Sequence, residues 1–152
     1  MAYISAEARQ HLLDAFGDAI DKIGLALASL GAAYEQVDTY TAEKLEQELF
    51  RPVQLAYGRA RRTHAGFAER HGLPVRTFEP ASAAVRSTGV KGFLTTAVEA
   101  VGEADSALAQ LQDSMMPVEV GDAELRAGLA EVRELVGGLR EQARQLMRTL
   151  GR

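Results

Sequence analysis

The chain has 152 residues, of which 47% are hydrophobic and 25% charged, a composition typical of one soluble globular domain. Its net charge of −4 argues against nucleic-acid affinity of the whole surface, and the lack of cysteine excludes disulfides and thiolate chemistry. No apolar run approaches the roughly 20 residues that span a bilayer, and the first residues do not resemble a secretion signal. We expect a single domain over residues 1–152, located in the cytoplasm and without a membrane partner.

Apolar side chains recur in alternating steps of three and four residues through four segments, which is the spacing of one face of an α-helix. No segment shows the sustained alternation of a β-strand, so the pattern predicts an all-α protein. The first helix is expected over residues 5–37. Ser5 is its candidate N-cap, because a serine oxygen accepts from the free N–H groups at a helix start.

The second helix follows a short corner at residues 38–41, and Thr41 is its candidate N-cap. It is expected to end at Gly72 and Pro74, two residues that stop helices. Pro52 lies in the middle of this helix. Because proline lacks a backbone N–H and its ring collides with the preceding turn, we expect a kink there.

A long connection over residues 73–88 leads to the third helix, which is expected to end near Asp113. Residues 115–121 interrupt the pattern, and Asp122 then caps a fourth helix that runs to Leu150. Long amphipathic helices need neighbours to bury their apolar faces, and short connections favour antiparallel ones. The sequence therefore predicts an antiparallel up-down-up-down four-helix bundle with a kinked second helix.

The candidate metal ligands lack the spacing of a metal site. Helical bundles that hold two metal ions use Glu-x-x-His pairs, and the chain has none. Two Glu-x-x-Glu pairs, at 43–46 and 131–134, flank the apolar faces as solvated pairs commonly do. His64 and His71 lie about 10 Å apart along a helix axis, so they cannot share one ion. We expect no metal and no cofactor.

Arg59 and His64 have the Arg-x4-His spacing found in helical ribonucleases of toxin–antitoxin type. On a regular helix the two side chains point about 140° apart, so they do not converge on one phosphate. The sequence also shows no nucleophile–base arrangement and no phosphate-binding glycine loop. A non-catalytic protein is favoured, and a small ribonuclease-like enzyme that uses Arg59 and His64 is kept as an alternative.

Three glycines recur every seven residues beside the apolar face of the first helix: Gly17, Gly24 and Gly31. A glycine in a helix interior costs about 1 kcal/mol relative to alanine, so the row suggests close approach of another helix. That helix belongs either to the same chain or to a second copy. In the second case the row is the seam of a homo-oligomer.

Charge is unevenly distributed in the expected bundle. In an up-down-up-down order, residues 1–22, 59–98 and 140–152 share one end with a net charge of +6, and the other end carries −10. We expect this basic pole to bind a partner. Its candidate binding residues are Arg59, Arg61, Arg62, His64, Arg70, His71 and Arg76.

The expected function is that of a non-catalytic helical interaction module whose basic pole binds an acidic protein surface or another copy. Binding of RNA or DNA phosphates at the same pole is the second hypothesis. It is the weaker one because Phe67 is the only aromatic residue between Arg59 and Arg70, too few for a platform on which bases stack.

Overall fold

The computed structural model describes residues 2–79 and 89–150. Residues 80–88 of the predicted 73–88 connection lie outside the described residues. The regular elements are α1 (Ala2–Tyr34), α2 (Thr39–Leu45), a π-helical turn (Glu46–Phe50), α3 (Arg51–Arg70), α4 (Gly89–Asp113), α5 (Met116–Glu119), α6 (Ala123–Gly137) and α7 (Leu139–Leu150). No strand occurs in the two described ranges, which confirms the all-α prediction. Within them, no helix combines the length and the apolar character needed to cross a membrane.

The predicted second helix consists of α2, the π-helical turn and α3 in direct succession. Its N-cap is Asp38 and not Thr41, because the Asp38 carboxylate accepts from the Thr41 N–H at 2.7 Å. The π-helical turn ends at Phe50, two residues before Pro52. A proline ring collides with the carbonyl four residues earlier, and a wider turn relieves that collision while the helix continues. A bend at this point stays a prediction.

The end of α3 agrees with the sequence pattern. Gly72 has a positive φ of 67°, and the Leu73 N–H donates to the Ala68 carbonyl at 2.8 Å. The helix thus ends with a residue in the left-handed backbone conformation, which glycine adopts without a steric penalty.

The predicted fourth helix begins as expected but is divided. The Asp122 carboxylate accepts from the Leu125 N–H at 2.8 Å and caps α6. α6 ends at Gly137, and α7 begins after Gly138. Two successive glycines have low helix propensity, which accounts for a break here.

The direction of α4 differs from the prediction. Lys22 pairs with Glu103 at 2.9 Å, and Arg9 donates to the Val120 carbonyl, which lies beyond the end of α4. The end of α4 therefore lies beside the start of α1. His64 of α3 lies beside Leu13 and Tyr57 lies beside Gly24, so α3 also runs antiparallel to α1, and α3 and α4 are parallel. Ion pairs between α3 and α6 make α6 antiparallel to α3, so the order is up-down-down-up.

The predicted up-down-up-down order is wrong because the rule of short connections does not apply between α3 and α4. An extended connection of about 16 residues can span roughly 50 Å. A helix of about 25 residues is roughly 38 Å long. The connection over residues 73–88 is therefore long enough to return along the bundle before α4 starts.

The predicted basic pole does not form in this topology. Lys91, at the start of α4, lies beside residues 36–41 at the far end of α1. Arg140 lies over Gly102 in α4, and Ala143 shares a cleft with Leu30. The positive charges at the start of α4 and in α7 are thus separated from those at the end of α3.

The core lies between the four helical columns, and the apolar face of α1 is buried along its length as the spacing predicts. Its buried residues are Leu12, Leu13, Phe16, Ala19, Ile20, Ile23, Ala26, Leu30 and Ala33. Against them pack side chains from the π-helical turn, α3 and α4, and apolar residues of α6 and α7 belong to the same core.

Candidate functional site

Two of the arginines predicted to bind a partner are held by acidic residues of α6 and its cap. Arg70 donates to the two carboxylate oxygens of Asp122 at 2.8 and 2.9 Å and to Glu124 at 2.7 Å. Arg59 pairs with Glu131. These contacts join α3 to α6 in antiparallel orientation and neutralise both guanidinium groups.

His71 belongs to the same cluster, since its Nε2 lies 3.0 Å from Asp122. The hydrogen bond from Arg70 holds the pKa of the Asp122 carboxyl well below its usual range. The Leu125 N–H and His71 act in the same direction, whereas partial burial opposes them. Asp122 is therefore ionised in the folded protein at neutral pH, and it serves as both a cap and an ion-pair partner.

His64 is buried in the core, with 3% of its surface exposed. Its Nε2 lies 3.0 Å from the Leu13 carbonyl, which can only accept, so the proton is on Nε2. Nδ1 has no hydrogen-bond partner among the described residues. Burial lowers the pKa of His64, the Leu13 carbonyl and Asp14 oppose this, and Arg76 adds to it. His64 is therefore neutral at neutral pH.

Arg59 and His64 do not form a common site. His64 faces α1, whereas Arg59 pairs with Glu131 on α6 and also donates to the Thr63 hydroxyl at 3.3 Å. A buried, neutral histidine on the other side of the helix cannot share a phosphate with this arginine. The geometry does not support the ribonuclease-like alternative.

Arg61 and Arg62 are exposed, like Arg70 and Arg76, but they differ from those two arginines in their contacts. Within the described part of the chain, no acidic side chain pairs with either of them. The Arg61 guanidinium lies 4.7 Å above the Tyr57 ring, and Arg62 extends back over Gly58. Both lie on the outer face of α3, away from α6.

Residues 73–79, which we call the strap, leave the end of α3 and turn back along it. Arg76 pairs with Asp21 of α1 at 2.7 Å and stacks on the Phe78 ring at 4.4 Å. Phe78 is buried, and its ring meets the His64 ring edge-on at 5.1 Å. Arg76 also crosses Gly17, where a Cβ would lie 2.5 Å from its guanidinium.

The strap and the outer face of α3 border an open groove of about 290 Å³, the arginine groove. It is lined by Gly58, Arg61, Arg62, Ala65, Arg76, Thr77 and Phe78. Guanidinium groups therefore line both sides of the groove, Arg61 and Arg62 on α3 and Arg76 on the strap. Of these three arginines, only Arg76 has an acidic partner among the described residues. Planar guanidinium groups bind carboxylates and phosphates, so the groove can hold an anionic group.

The glycine row of α1 faces the same chain. A Cβ on Gly24 would lie 3.2 Å from the Tyr57 ring, and one on Gly31 would lie 3.9 Å from the Phe50 ring. Gly17 packs against the strap. The row allows α1 to approach the column formed by the π-helical turn and α3. It is therefore not an open seam for a second copy, which corrects that prediction.

Sequence patterns missed the strap. Thr77 and Phe78 line the arginine groove but carried no helical periodicity that would place them. An aromatic residue inside a polar connection was the available signal, because such a side chain tends to pack against a neighbouring surface.

Among the described residues, no group of three His, Asp or Glu side chains could hold a metal ion. Comparison with known proteins gave no matching family model, no matching curated protein and no matching solved structure. A function for this chain is therefore inferred from the geometry of the arginine groove.

Proposed function

We propose that the protein is a non-catalytic interaction module that binds an acidic segment of a protein partner in the arginine groove. The observation that supports the proposal is the exposed pair Arg61 and Arg62, which lies beside Arg76 and has no acidic partner in the described structure. Arg59 and Arg70, on the same helix, are neutralised by α6. Among these four arginines of α3, the two without an acidic partner thus lie on the face away from α6.

An acidic peptide fits the groove better than a nucleic acid does. Nucleic-acid binding draws on many phosphate contacts and on exposed aromatic rings that stack on bases. The arginine groove offers three cations, and its aromatic residue, Phe78, is buried. Two or three guanidinium groups suffice to orient the carboxylates of a short peptide.

The test is binding of a fluorescein-labelled poly-glutamate peptide, followed by fluorescence anisotropy. The groove variant is Arg61→Glu combined with Arg62→Glu. Its matched control is Arg144→Glu combined with Arg148→Glu, which makes the same change in charge at exposed positions of α7. We expect wild type and control to bind and the groove variant to lose binding. Raising the salt concentration to physiological levels should weaken binding, because exposed charges are then screened beyond about 8 Å.

Two results would contradict the proposal. The groove variant could bind the peptide as wild type does, or both double variants could lose the same amount of binding, which would indicate an effect of net charge alone. A single-stranded RNA of equal charge serves as a second probe. Tighter binding of this RNA, lost in the groove variant, would replace the acidic peptide by a nucleic acid. Sedimentation of the unlabelled protein shows whether a second copy is the acidic partner.

A further inference from the structure

We infer that the strap is a proton-operated latch, which closes over neutral His64 and opens when His64 is protonated. Arg76 lines the arginine groove and belongs to the strap, so opening of the strap would remove one side of the groove. The effect on partner binding rests on the proposed function. The latch itself rests only on the contacts around His64.

The closed strap covers the imidazole of His64. Phe78 meets the ring edge-on at 5.1 Å, and the Phe16 ring of α1 lies 5.7 Å from it on another side. Arg76 stacks on Phe78 and crosses α1 at Gly17, which fixes the aromatic ring against the histidine. These contacts leave 3% of His64 exposed.

Protonation adds a second N–H group to this buried ring. Nε2 already donates to the Leu13 carbonyl, and Nδ1 has no partner among the described residues. A buried donor without an acceptor is unfavourable, and a buried charge without a partner is more so. Opening the strap would bring water to Nδ1 and remove the Phe78 ring. The proton is thus accepted more readily by the open form.

The charged groups around His64 do not cancel this effect. The guanidinium of Arg76, on the strap, repels an imidazolium, whereas Asp14, on α1, attracts it. Asp14 is exposed and accepts from Gln10 at 2.9 Å. Asp21 is bound by Arg76, and both side chains of that pair are nearly half exposed. Exposed ion pairs contribute little to stability, so the pair of Arg76 and Asp21 can break when the strap opens.

The effect of pH on strap opening has a definite direction. Burial lowers the pKa of His64 in the closed form, whereas in the open form it returns toward the ordinary value of 6.5. The open form therefore binds more protons as the pH falls below 6.5. One proton changes the opening equilibrium by at most about tenfold per pH unit, until the pKa of the closed form is reached.

Nuclear magnetic resonance of the full chain tests the latch between about pH 7.5 and about pH 5. We expect the imidazole carbon signals of His64 and the amide signals of the strap residues other than Pro74 to move together, with a midpoint below pH 6.5. In His64→Leu the strap signals should stay constant. The matched control is His11→Leu, which removes an exposed histidine of α1 and should leave the transition in place.

A strap transition that persists in His64→Leu would overturn the latch, and so would titration of His64 without movement of the strap. A second variant covers the case in which His64→Leu does not fold. Phe78→Ala removes the ring that covers the imidazole, so the midpoint for His64 should rise toward 6.5. An unchanged midpoint would also overturn the latch.

The poly-glutamate probe separates the latch from the proposed function. We expect wild type to bind the peptide more weakly at about pH 5.5 than at about pH 7.5, and His64→Leu to bind equally at both, because only wild type opens its strap. A strap that opens in a protein that binds no peptide at either pH would support the latch and contradict the proposed function. Equal binding by wild type at both values would overturn the link between the latch and the groove.

Discussion

The side of α3 that packs against α6 and the outer side of α3 carry the same residue type in different roles. Toward α6, Arg59 and Arg70 meet carboxylates at hydrogen-bonding distance and join two helices. On the outer side, Arg61 and Arg62 meet no acidic residue of the described chain. An arginine's role here depends on its angular position on the helix, and the local density of arginine does not reveal it.

The largest effect should come from widening the contact between α3 and α6. Thr63 fills the space that a Cβ on Gly128 would need, so Gly128→Ala forces the two helices apart. Thr63 is β-branched, and its hydroxyl donates to the Arg59 carbonyl at 2.8 Å, so it cannot easily turn away. We expect a loss of about 3 kcal/mol in the free energy of unfolding, measured by urea denaturation.

Gly137→Ala on the same helix is the control for Gly128→Ala. A Cβ at Gly137 would meet nothing within 4 Å. Alanine there should leave stability unchanged or raise it by up to about 1 kcal/mol, since alanine favours the helix. Equal losses in both variants would mean that the contact between α3 and α6 is not close.

A smaller effect should follow from Asp122→Ala, which removes the N-cap of α6 and a partner of Arg70 together. We expect a loss of about 2 kcal/mol, of which the cap accounts for about 1. Asp38→Ala is the matched control, because Asp38 caps α2 without an ion pair in the described structure. Equal losses in thermal or urea unfolding would show that Arg70 adds nothing to the cap.

Acid should weaken the α6 side through the same carboxylate. The pKa of Asp122 is lower in the folded chain than in the unfolded chain, chiefly because Arg70 donates to it. Its contribution is therefore present above about pH 4 and is lost as the pH falls below that value. We expect Asp122→Asn, which can still cap α6, to cost about 1 kcal/mol at neutral pH and less in acid. If the difference in unfolding free energy between wild type and Asp122→Asn stayed the same from neutral to acid pH, Asp122 would not be the source of the acid sensitivity.

The sequence was sufficient for the helical class and the buried helix faces, and insufficient for the order of the helices. Apolar spacing placed the buried face of α1, and Asp122 marked the start of α6, because both depend on neighbouring residues alone. The direction of α4 depends on where the residue 73–88 connection leads. No local rule fixes the path of a connection long enough to reach either end.

The candidate site could be predicted only in part, because it also depends on contacts between residues that are distant in the sequence. Arg61 and Arg62 were named from the density of arginine, as were Arg59 and Arg70, and only the position of α6 separates the two pairs. The place of His64 beneath the strap depends on the path of residues 73–79. Residues distant in the sequence determine both facts, and periodicity does not report such contacts.

The smallest effect should come from Arg62→Ala, compared with Arg59→Ala on the same helix. Arg62 is exposed and unpaired among the described residues, so its loss should stay within about 0.5 kcal/mol. Arg59 pairs with Glu131 and donates to the Thr63 hydroxyl, so its loss should cost about 1 kcal/mol. The urea midpoint measures both, with an unchanged slope showing that the unfolded state is the same. If Arg62→Ala cost as much as Arg59→Ala, the outer arginines would stabilise the fold, and the arginine groove would lose the free charge on which partner binding depends.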